Sequence, residues 1–134
     1  MYTTIKKDIL YPELSFEINK VLFKVFNDLG PGHHEKYYQI GIEKGLRFNK
    51  IKYQREVPTR LETYDEVVGT LFLDFLIEDK IVLEIKRGAW VKARDFQQIK
   101  SYLETTKCKL GILAIFKSNE VKIYRVVNWN VIDQ

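Results

Sequence analysis

The chain has few of the features that mark secreted, membrane-bound or fibrous proteins. Its 134 residues include one cysteine, Cys108, so no internal disulfide can form, and a lone thiol is typical of a reducing cytoplasm. No apolar run approaches the roughly 18 residues that cross a bilayer, and the first residues include lysines where a signal peptide has an apolar segment. Three prolines and seven glycines exclude a fibrous or low-complexity chain. We therefore expect a soluble cytoplasmic protein without a membrane contact.

A strong charge of one sign is also absent. The net charge is +4, which is too small to indicate nucleic-acid binding by itself. The excess is local, because residues 86–100 contain five basic residues and one acidic residue, Asp95. This segment, which includes Trp90, is either a solvated basic loop or, if it lies beside a reactive site, a surface that binds a phosphate backbone. Its basic members are Lys86, Arg87, Lys92, Arg94 and Lys100.

Periodicity predicts a single domain over residues 1–134, with no linker or repeat. Apolar residues recur every three or four positions from Pro12 to Leu29 and again from His33 to about Arg47, which predicts two helices. An alternating segment from Ile51 ends at Pro58 and predicts an edge strand. The order is α-α-β-β-β-α-β-β, an α/β fold with a mixed sheet flanked by helices. The remaining elements are strands at 67–77, 80–85, 110–116 and 121–127 and a helix at 93–104.

Two acidic residues and a lysine interrupt otherwise apolar strands. Asp74 lies inside the second predicted strand, and Glu84 and Lys86 lie in the third. A three-residue loop at 78–80 would place Asp74 directly opposite Glu84, and the same count places Phe72 opposite Lys86. A loop one residue longer or shorter would put the two acids on opposite faces of the sheet.

Facing carboxylates with a neighbouring lysine allow two interpretations. Carboxylates about 5 Å apart on paired strands repel each other unless a proton or a cation compensates them. Carboxylate oxygens suit Mg²⁺ or Mn²⁺, and a nearby lysine can orient an attacking water, so one interpretation is a site that hydrolyses phosphodiesters. The other is a structural salt bridge between Lys86 and the two acids at the rim of the sheet.

The same three residues resemble a known signature. Asp74, followed by Glu84-x-Lys86 on the next strand, is similar to the Asp…Glu-x-Lys signature of the PD-(D/E)XK nuclease superfamily. The core of that superfamily has a helix, three antiparallel strands, a helix and a further strand, and the predicted order of elements agrees. One departure is Leu73, which stands where the signature has proline.

Two further motifs resemble branches of this superfamily. Residues 32–38, Gly-His-His-Glu-Lys-Tyr-Tyr, match the Gly-x-x-Glu-x-x-Tyr motif that names the GxxExxY proteins. Residues 98–102, Gln-Ile-Lys-Ser-Tyr, resemble the Gln-x-x-x-Tyr helix motif of helicase-associated members. The resemblance extends from about Leu14 to Val127.

The resemblance implies a restriction-endonuclease-like fold and a Mg²⁺- or Mn²⁺-dependent nuclease acting on DNA, with RNA as the alternative substrate. The metal would be held by Asp74, Glu84 and the carbonyl of Ile85, with Lys86 positioning the attacking water. The implied catalytic residues are Glu35, Asp74, Glu84, Lys86 and Gln98, with Glu35 completing the acidic cluster and Gln98 orienting substrate or water. The expected nucleic-acid contacts are Arg87, Lys92, Arg94, Lys100 and Tyr102.

Other interpretations of these residues remain open. Glu35 also suits the first turn of a helix, Gln98 and Tyr102 a solvated helix face, and Tyr38 a packing position with a hydrogen-bonded hydroxyl. The whole chain is alternatively a non-catalytic nucleic-acid-binding module, or a homo-oligomeric interaction domain that uses the first helix or the aromatic tail around Trp129. A protein partner could also recruit a nuclease of this kind to its substrate.

Overall fold

The computed structural model describes residues 10–132, which form an α/β fold with a mixed sheet between helices, as predicted. The short helix α4 at the end was not predicted, and the other elements follow the expected order. The helices are α1 (Pro12–Leu29), α2 (Glu35–Phe48), α3 (Ala93–Thr106) and α4 (Trp129–Ile132). The strands are β1 (Tyr53–Thr63), β2 (Glu66–Ile77), β3 (Ile81–Arg87), β4 (Leu110–Phe116) and β5 (Val121–Val127).

The five strands form one sheet in the order β1-β2-β3-β4-β5. The pair β3–β4 is parallel and the other three pairs are antiparallel, because α3 carries the chain across the sheet between β3 and β4. Helices α1 and α2 pack on one face, where they bury Ile81, Leu83 and Ile85 of β3, and α3 packs on the other face, where it buries Val82. Since successive side chains of a strand alternate between faces, Glu84 points to the α3 side of the sheet.

The start of α2 is fixed by the tyrosine of the Gly-x-x-Glu-x-x-Tyr segment. Tyr38 is 1% exposed, and its hydroxyl donates a 2.8 Å hydrogen bond to the carbonyl of Gly30 and accepts one from the backbone N–H of His33. Gly32 adopts φ 89°, a left-handed conformation that favours glycine. The prediction of a packing role for Tyr38 is confirmed, and this packing sets the position of Glu35 one turn earlier.

Strand β1 is longer than predicted. It continues through Pro58, which lies opposite Phe72 of β2, and ends at Thr63. The strand lies at the edge of the sheet, where a residue without an N–H is tolerated because one side of the strand has no neighbour. Residues 57–63 and 66–73 therefore form a two-stranded ribbon that extends beyond the β2–β3 pairing. Within residues 10–132, no helix has the length and apolar character needed to cross a membrane.

Candidate active site

The register that brings the two acids together is set by the β2–β3 turn. Ile77 pairs with Ile81, so the loop has the three residues predicted. Glu78 and Asp79 adopt φ values of 55° and 56°, and the N–H of Lys80 donates a 2.9 Å hydrogen bond to the carbonyl of Ile77. The predicted register is confirmed over this end of the strand pair.

Regular pairing of the two strands stops just before the acids. The last backbone pair is Phe75 with Leu83. Beyond it, the N–H of Asp74 donates a 2.7 Å hydrogen bond to Glu84 Oε1, and the N–H of Ile85 donates a 2.7 Å hydrogen bond to Asp74 Oδ2. Each carboxylate thus accepts the hydrogen bond that a backbone carbonyl of its own strand would accept in a regular ladder. The predicted pairing of Phe72 with Lys86 is wrong, because the strands diverge from this point.

A change of face along β1 and β2 explains the divergence. Leu73 packs under α3 while Phe75 packs under α1 and α2, although residues two apart in a regular strand share a face. Glu56 of β1, which lies between the partners of these two residues, adopts φ 52°. A left-handed residue bends and twists a strand in the manner of a β-bulge. At this bend the carboxylate of Asp74 meets the backbone of β3.

Burial makes the two carboxylates hard to ionise. Glu84 is 2% exposed, and its burial, followed by the negative charge of Asp74, raises the pKa of Glu84 to about 8. Burial likewise raises the pKa of Asp74 to about 6, although the hydrogen bond from Ile85 opposes this shift. Glu35 raises both pKa values further, and Lys86 lowers both. The pair therefore favours an added positive charge, either a proton or a cation.

The donor set fits a hard divalent cation in chemical type. Asp74 Oδ1 and Glu84 Oε2 accept no hydrogen bond from any residue in the range 10–132, so one oxygen of each carboxylate remains open to a ligand. The protein supplies two carboxylates here, and no group of three His, Cys, Asp or Glu side chains within the described chain is arranged to hold a metal. Mg²⁺ is commonly bound by one or two carboxylates, with water and phosphate completing its shell.

The structural salt bridge that was the alternative interpretation of Lys86 and the two acids does not form. Among the ion pairs of residues 10–132, none joins Lys86 to Asp74 or to Glu84. Lys86 is half-buried on the strand that carries Glu84 and faces an open cleft. Its ammonium group is therefore available to a substrate.

The cleft beside Lys86 gathers most of the predicted site residues. It has a volume of about 760 Å³ and lies between the middle of β2, the end of β3, the start of α2 and the first turns of α3. Glu35 is held at its edge by a 3.2 Å hydrogen bond from the N–H of Arg87. Leu71 and Gln97, which sequence reasoning did not single out, also line it. The predicted site residues in its wall are Glu35, Lys86, Arg87, Lys92, Arg94 and Gln98.

Two predicted nucleic-acid contacts lie elsewhere. Tyr102 is 1% exposed, and its hydroxyl donates to the carbonyl of Phe72 at 3.2 Å while accepting a 3.0 Å bond from Gln98 Nε2. It cannot stack on a base from this position, so that prediction is corrected, as is the alternative of a solvated face for Tyr102. Lys100 lines a separate pocket with Trp129. A helix turns about 100° per residue, so Lys100 points away from the side of α3 that carries Gln98.

Arg55 was assigned no role from the sequence, and it contributes to the electrostatics of the site. Its guanidinium donates to Glu43 at 3.2 Å and to Gln39 at 3.0 Å, both on α2, and its charge lowers the pKa of Asp74. Arg55 Nε is buried and has no hydrogen-bond partner within residues 10–132. The available signal was the alternation of β1, because Arg55 shares a strand face with Tyr53, which packs on the core.

A mixed sheet between helices, with facing acids and a lysine where the central strands diverge, defines a restriction-endonuclease-like domain. The chain belongs to the PD-(D/E)XK nuclease superfamily, whose family model matches residues 12–126. The crystal structure of SSO0001 is similar, with a TM-score of 0.55 and 18% sequence identity over 96% of this chain. The match covers 65% of the SSO0001 chain, and at this identity it shows the fold alone. No curated protein matches the sequence.

Proposed function

We propose that this chain is a metal-dependent nuclease of the GxxExxY branch, which hydrolyses phosphodiester bonds of DNA, with RNA as the second candidate polymer. The observation that carries the proposal is a pair of hydrogen bonds between the two strands. Glu84 accepts one from the N–H of Asp74, and Asp74 accepts the other from the N–H of Ile85. These bonds fix two carboxylates in a buried position, which would be unfavourable for structure alone because burying charge is costly. A nuclease requires such an arrangement of acids beside an open cleft.

The acids would hold Mg²⁺ or Mn²⁺ through Asp74 Oδ1 and Glu84 Oε2. The N–H and C=O of one residue in a strand point to the same side, so the Ile85 carbonyl faces β2 together with its N–H and would be a further ligand. When bound, the cation polarises a phosphate oxygen and stabilises the charge that develops during hydrolysis. Its charge also removes the repulsion between the two carboxylates.

The residues around the acids would position the substrate and the attacking water. Lys86 projects from the strand that carries Glu84 and can contact both a phosphate oxygen and the water. Gln98 is oriented by its bond to Tyr102, and Glu35 by the N–H of Arg87. These two side chains can hold the water by hydrogen bonds, while the basic residues of the cleft wall contact the neighbouring phosphates.

A cleavage assay with DNA and RNA in Mg²⁺ or Mn²⁺ tests this proposal. We expect wild-type protein to cut DNA, and the Asp74→Asn variant to lose cleavage while remaining folded. The matched control is Asp28→Asn, an exposed residue near the end of α1 that lies outside the cleft. Folded wild type that binds nucleic acid without cutting either polymer would contradict the proposal and favour a non-catalytic binding module.

A further inference from the structure

One large aromatic side chain of the cleft is left without a packing role. Trp90 is 72% exposed, and it lines the cleft together with Arg87, Lys92 and Arg94. A single exposed apolar residue needs no explanation by itself. Here the indole lies among basic side chains and beside the proposed reactive site, where a flat apolar surface can stack on a ligand ring.

The loop that carries Trp90 is anchored at both ends. Its first residue, Gly88, donates a 3.3 Å backbone hydrogen bond to the carbonyl of Phe116. At the other end, the N–H of Lys92 donates to Asp95 Oδ2 at 3.0 Å, and the N–H of Asp95 donates back to the carbonyl of Lys92. The indole is therefore presented on a short segment held by β4 and α3, which lowers the entropy lost when a ligand covers it.

The distribution of charge around the cleft favours a narrow ligand. The basic residues that line it all fall within residues 86–94. The ribbon, which leaves the cleft wall at Leu71, carries one basic residue, Arg60, and three acidic residues around its turn, so it adds no basic surface to the cleft wall. A duplex presents phosphates along both strands and needs a wide basic footprint. The basic residues of the cleft form one short track within residues 86–94, which matches the phosphates of one strand.

We infer that the cleft binds single-stranded nucleic acid, with Trp90 stacking on a base and Arg87, Lys92 and Arg94 contacting the phosphates. A basic groove combined with an aromatic stacking platform is the recurrent arrangement for single strands, and every base offers a flat face to it. The inference rests on the proposed function for the role of the cleft, and it adds the substrate class.

Binding measured in EDTA tests this inference separately from cleavage. Fluorescence anisotropy would compare labelled oligo-dT, oligo-rU and a duplex, and the two single strands distinguish DNA from RNA. We expect either single strand to bind more tightly than the duplex. Trp90→Ala should weaken single-strand binding about 5- to 150-fold, as expected for one stacked base, and Trp90→Phe should restore most of the affinity.

The other tryptophan provides the matched control. Trp129 is 39% exposed and lies outside the cleft, so Trp129→Phe should bind single strands like the wild type. In that background Trp90 is the sole tryptophan, and its fluorescence should be quenched when oligo-dT binds. Unchanged affinity in Trp90→Ala, or tighter binding of the duplex, would overturn the inference.

A parallel cleavage assay in Mg²⁺ separates the two proposals. Cleavage of a duplex that does not depend on Trp90 would retain the nuclease and overturn the single-strand inference. Trp90-dependent binding of single strands, without cleavage in any divalent metal, would support the single-strand inference and overturn the nuclease.

Discussion

The two halves of the β2–β3 strand pair differ sharply although they are continuous. From the turn to Phe75 and Leu83, the facing residues form backbone pairs, and most of their side chains are completely buried and apolar. One position further, Asp74 and Glu84 take the place of the ladder acceptors, and the strands diverge. The first half is built for stability, and the second half holds buried charge next to a cleft.

The difference shows how a small sheet can hold two carboxylates in a buried position. Each carboxylate of the diverging half is fixed by a backbone N–H of the neighbouring strand, so the paired half determines where the acids lie. Because burial disfavours their charge, this half weakens the fold at neutral pH unless a proton or a cation is bound. Substitutions in the two halves should therefore have opposite profiles in stability and in activity.

The largest expected effect is on activity in the diverging half. Lys86→Ala should lower the cleavage rate by about 10²–10⁴-fold, the range for loss of a group that assists proton transfer. At pH 5, where both acids favour the protonated form, the unfolding midpoint in urea should change little, because Lys86 makes no ion pair with another residue of the described chain. Lys80→Ala, at the turn end of the same strand pair, is the matched control and should cut normally. An equal loss of cleavage rate in the two variants would contradict the assignment of activity to the diverging half of the strand pair.

The next effect is on stability in the paired half. Leu83 is 0% exposed and packs between the sheet and α1 and α2, so Leu83→Ala should lower the free energy of unfolding by about 2–5 kcal/mol. Phe72→Ala, in the ribbon, removes a side chain that is 58% exposed and should change it by less than about 0.5 kcal/mol. Urea denaturation measures both. A large loss in Phe72→Ala would mean that the ribbon is part of the core.

The acids should give metal-free protein an unusual pH dependence. The pKa of Asp74 is raised from 3.8 to about 6, and that of Glu84 from 4.5 to about 8. Between the ordinary and the raised values the folded state binds more protons than the unfolded state, so stability falls as pH rises from about 4 to 8. Each proton contributes a slope of up to about 1.4 kcal/mol per pH unit.

Urea titrations between pH 5 and 8 in EDTA measure this slope. The Asp74→Asn/Glu84→Gln double variant should remove most of the decline, because neither amide titrates. A decline of the same size in this variant would place its origin in other groups and contradict the buried charge assigned to the diverging half.

The smallest expected effect concerns the hydroxyl of Tyr102, which connects α3 to β2 beside the diverging half of the strand pair. Tyr102→Phe removes a bond to the carbonyl of Phe72 and the acceptor of Gln98, and should lower the free energy of unfolding by about 0.5–1.5 kcal/mol. Nucleic-acid affinity in EDTA should stay unchanged, since the ring is buried. A loss of affinity at unchanged stability would show instead that Tyr102 contacts the ligand.

The sequence predicted elements whose cause is local. Helix α1 was predicted with its observed bounds because periodicity, Pro12 and Gly30 agree, and the β2–β3 register followed from a three-residue turn. The proximity of Asp74 to Glu84 followed from that register, which is why the sequence located the two acids.

The features that the sequence missed depend on tertiary structure. The change of face at Asp74 involves Glu56 in a left-handed conformation, which glutamate rarely adopts and which its presence in the sequence therefore does not indicate. The burial of Tyr102 depends on the carbonyl of Phe72, 30 residues earlier in the chain. The electrostatic role of Arg55 arises from its contacts with α2, which no spacing within β1 reveals.

A calorimetric titration of Mg²⁺ or Mn²⁺ into the metal-free protein tests the central claim most directly. Wild type and a folded Asp74→Ala/Glu84→Ala variant would be titrated, and DNA cleavage would be followed in the same samples. We predict saturable binding and cleavage by the wild type and loss of both in the variant. Absence of divalent-metal binding by folded wild type, or equal binding by the variant, would contradict the assignment of Asp74 and Glu84 as the metal-binding pair.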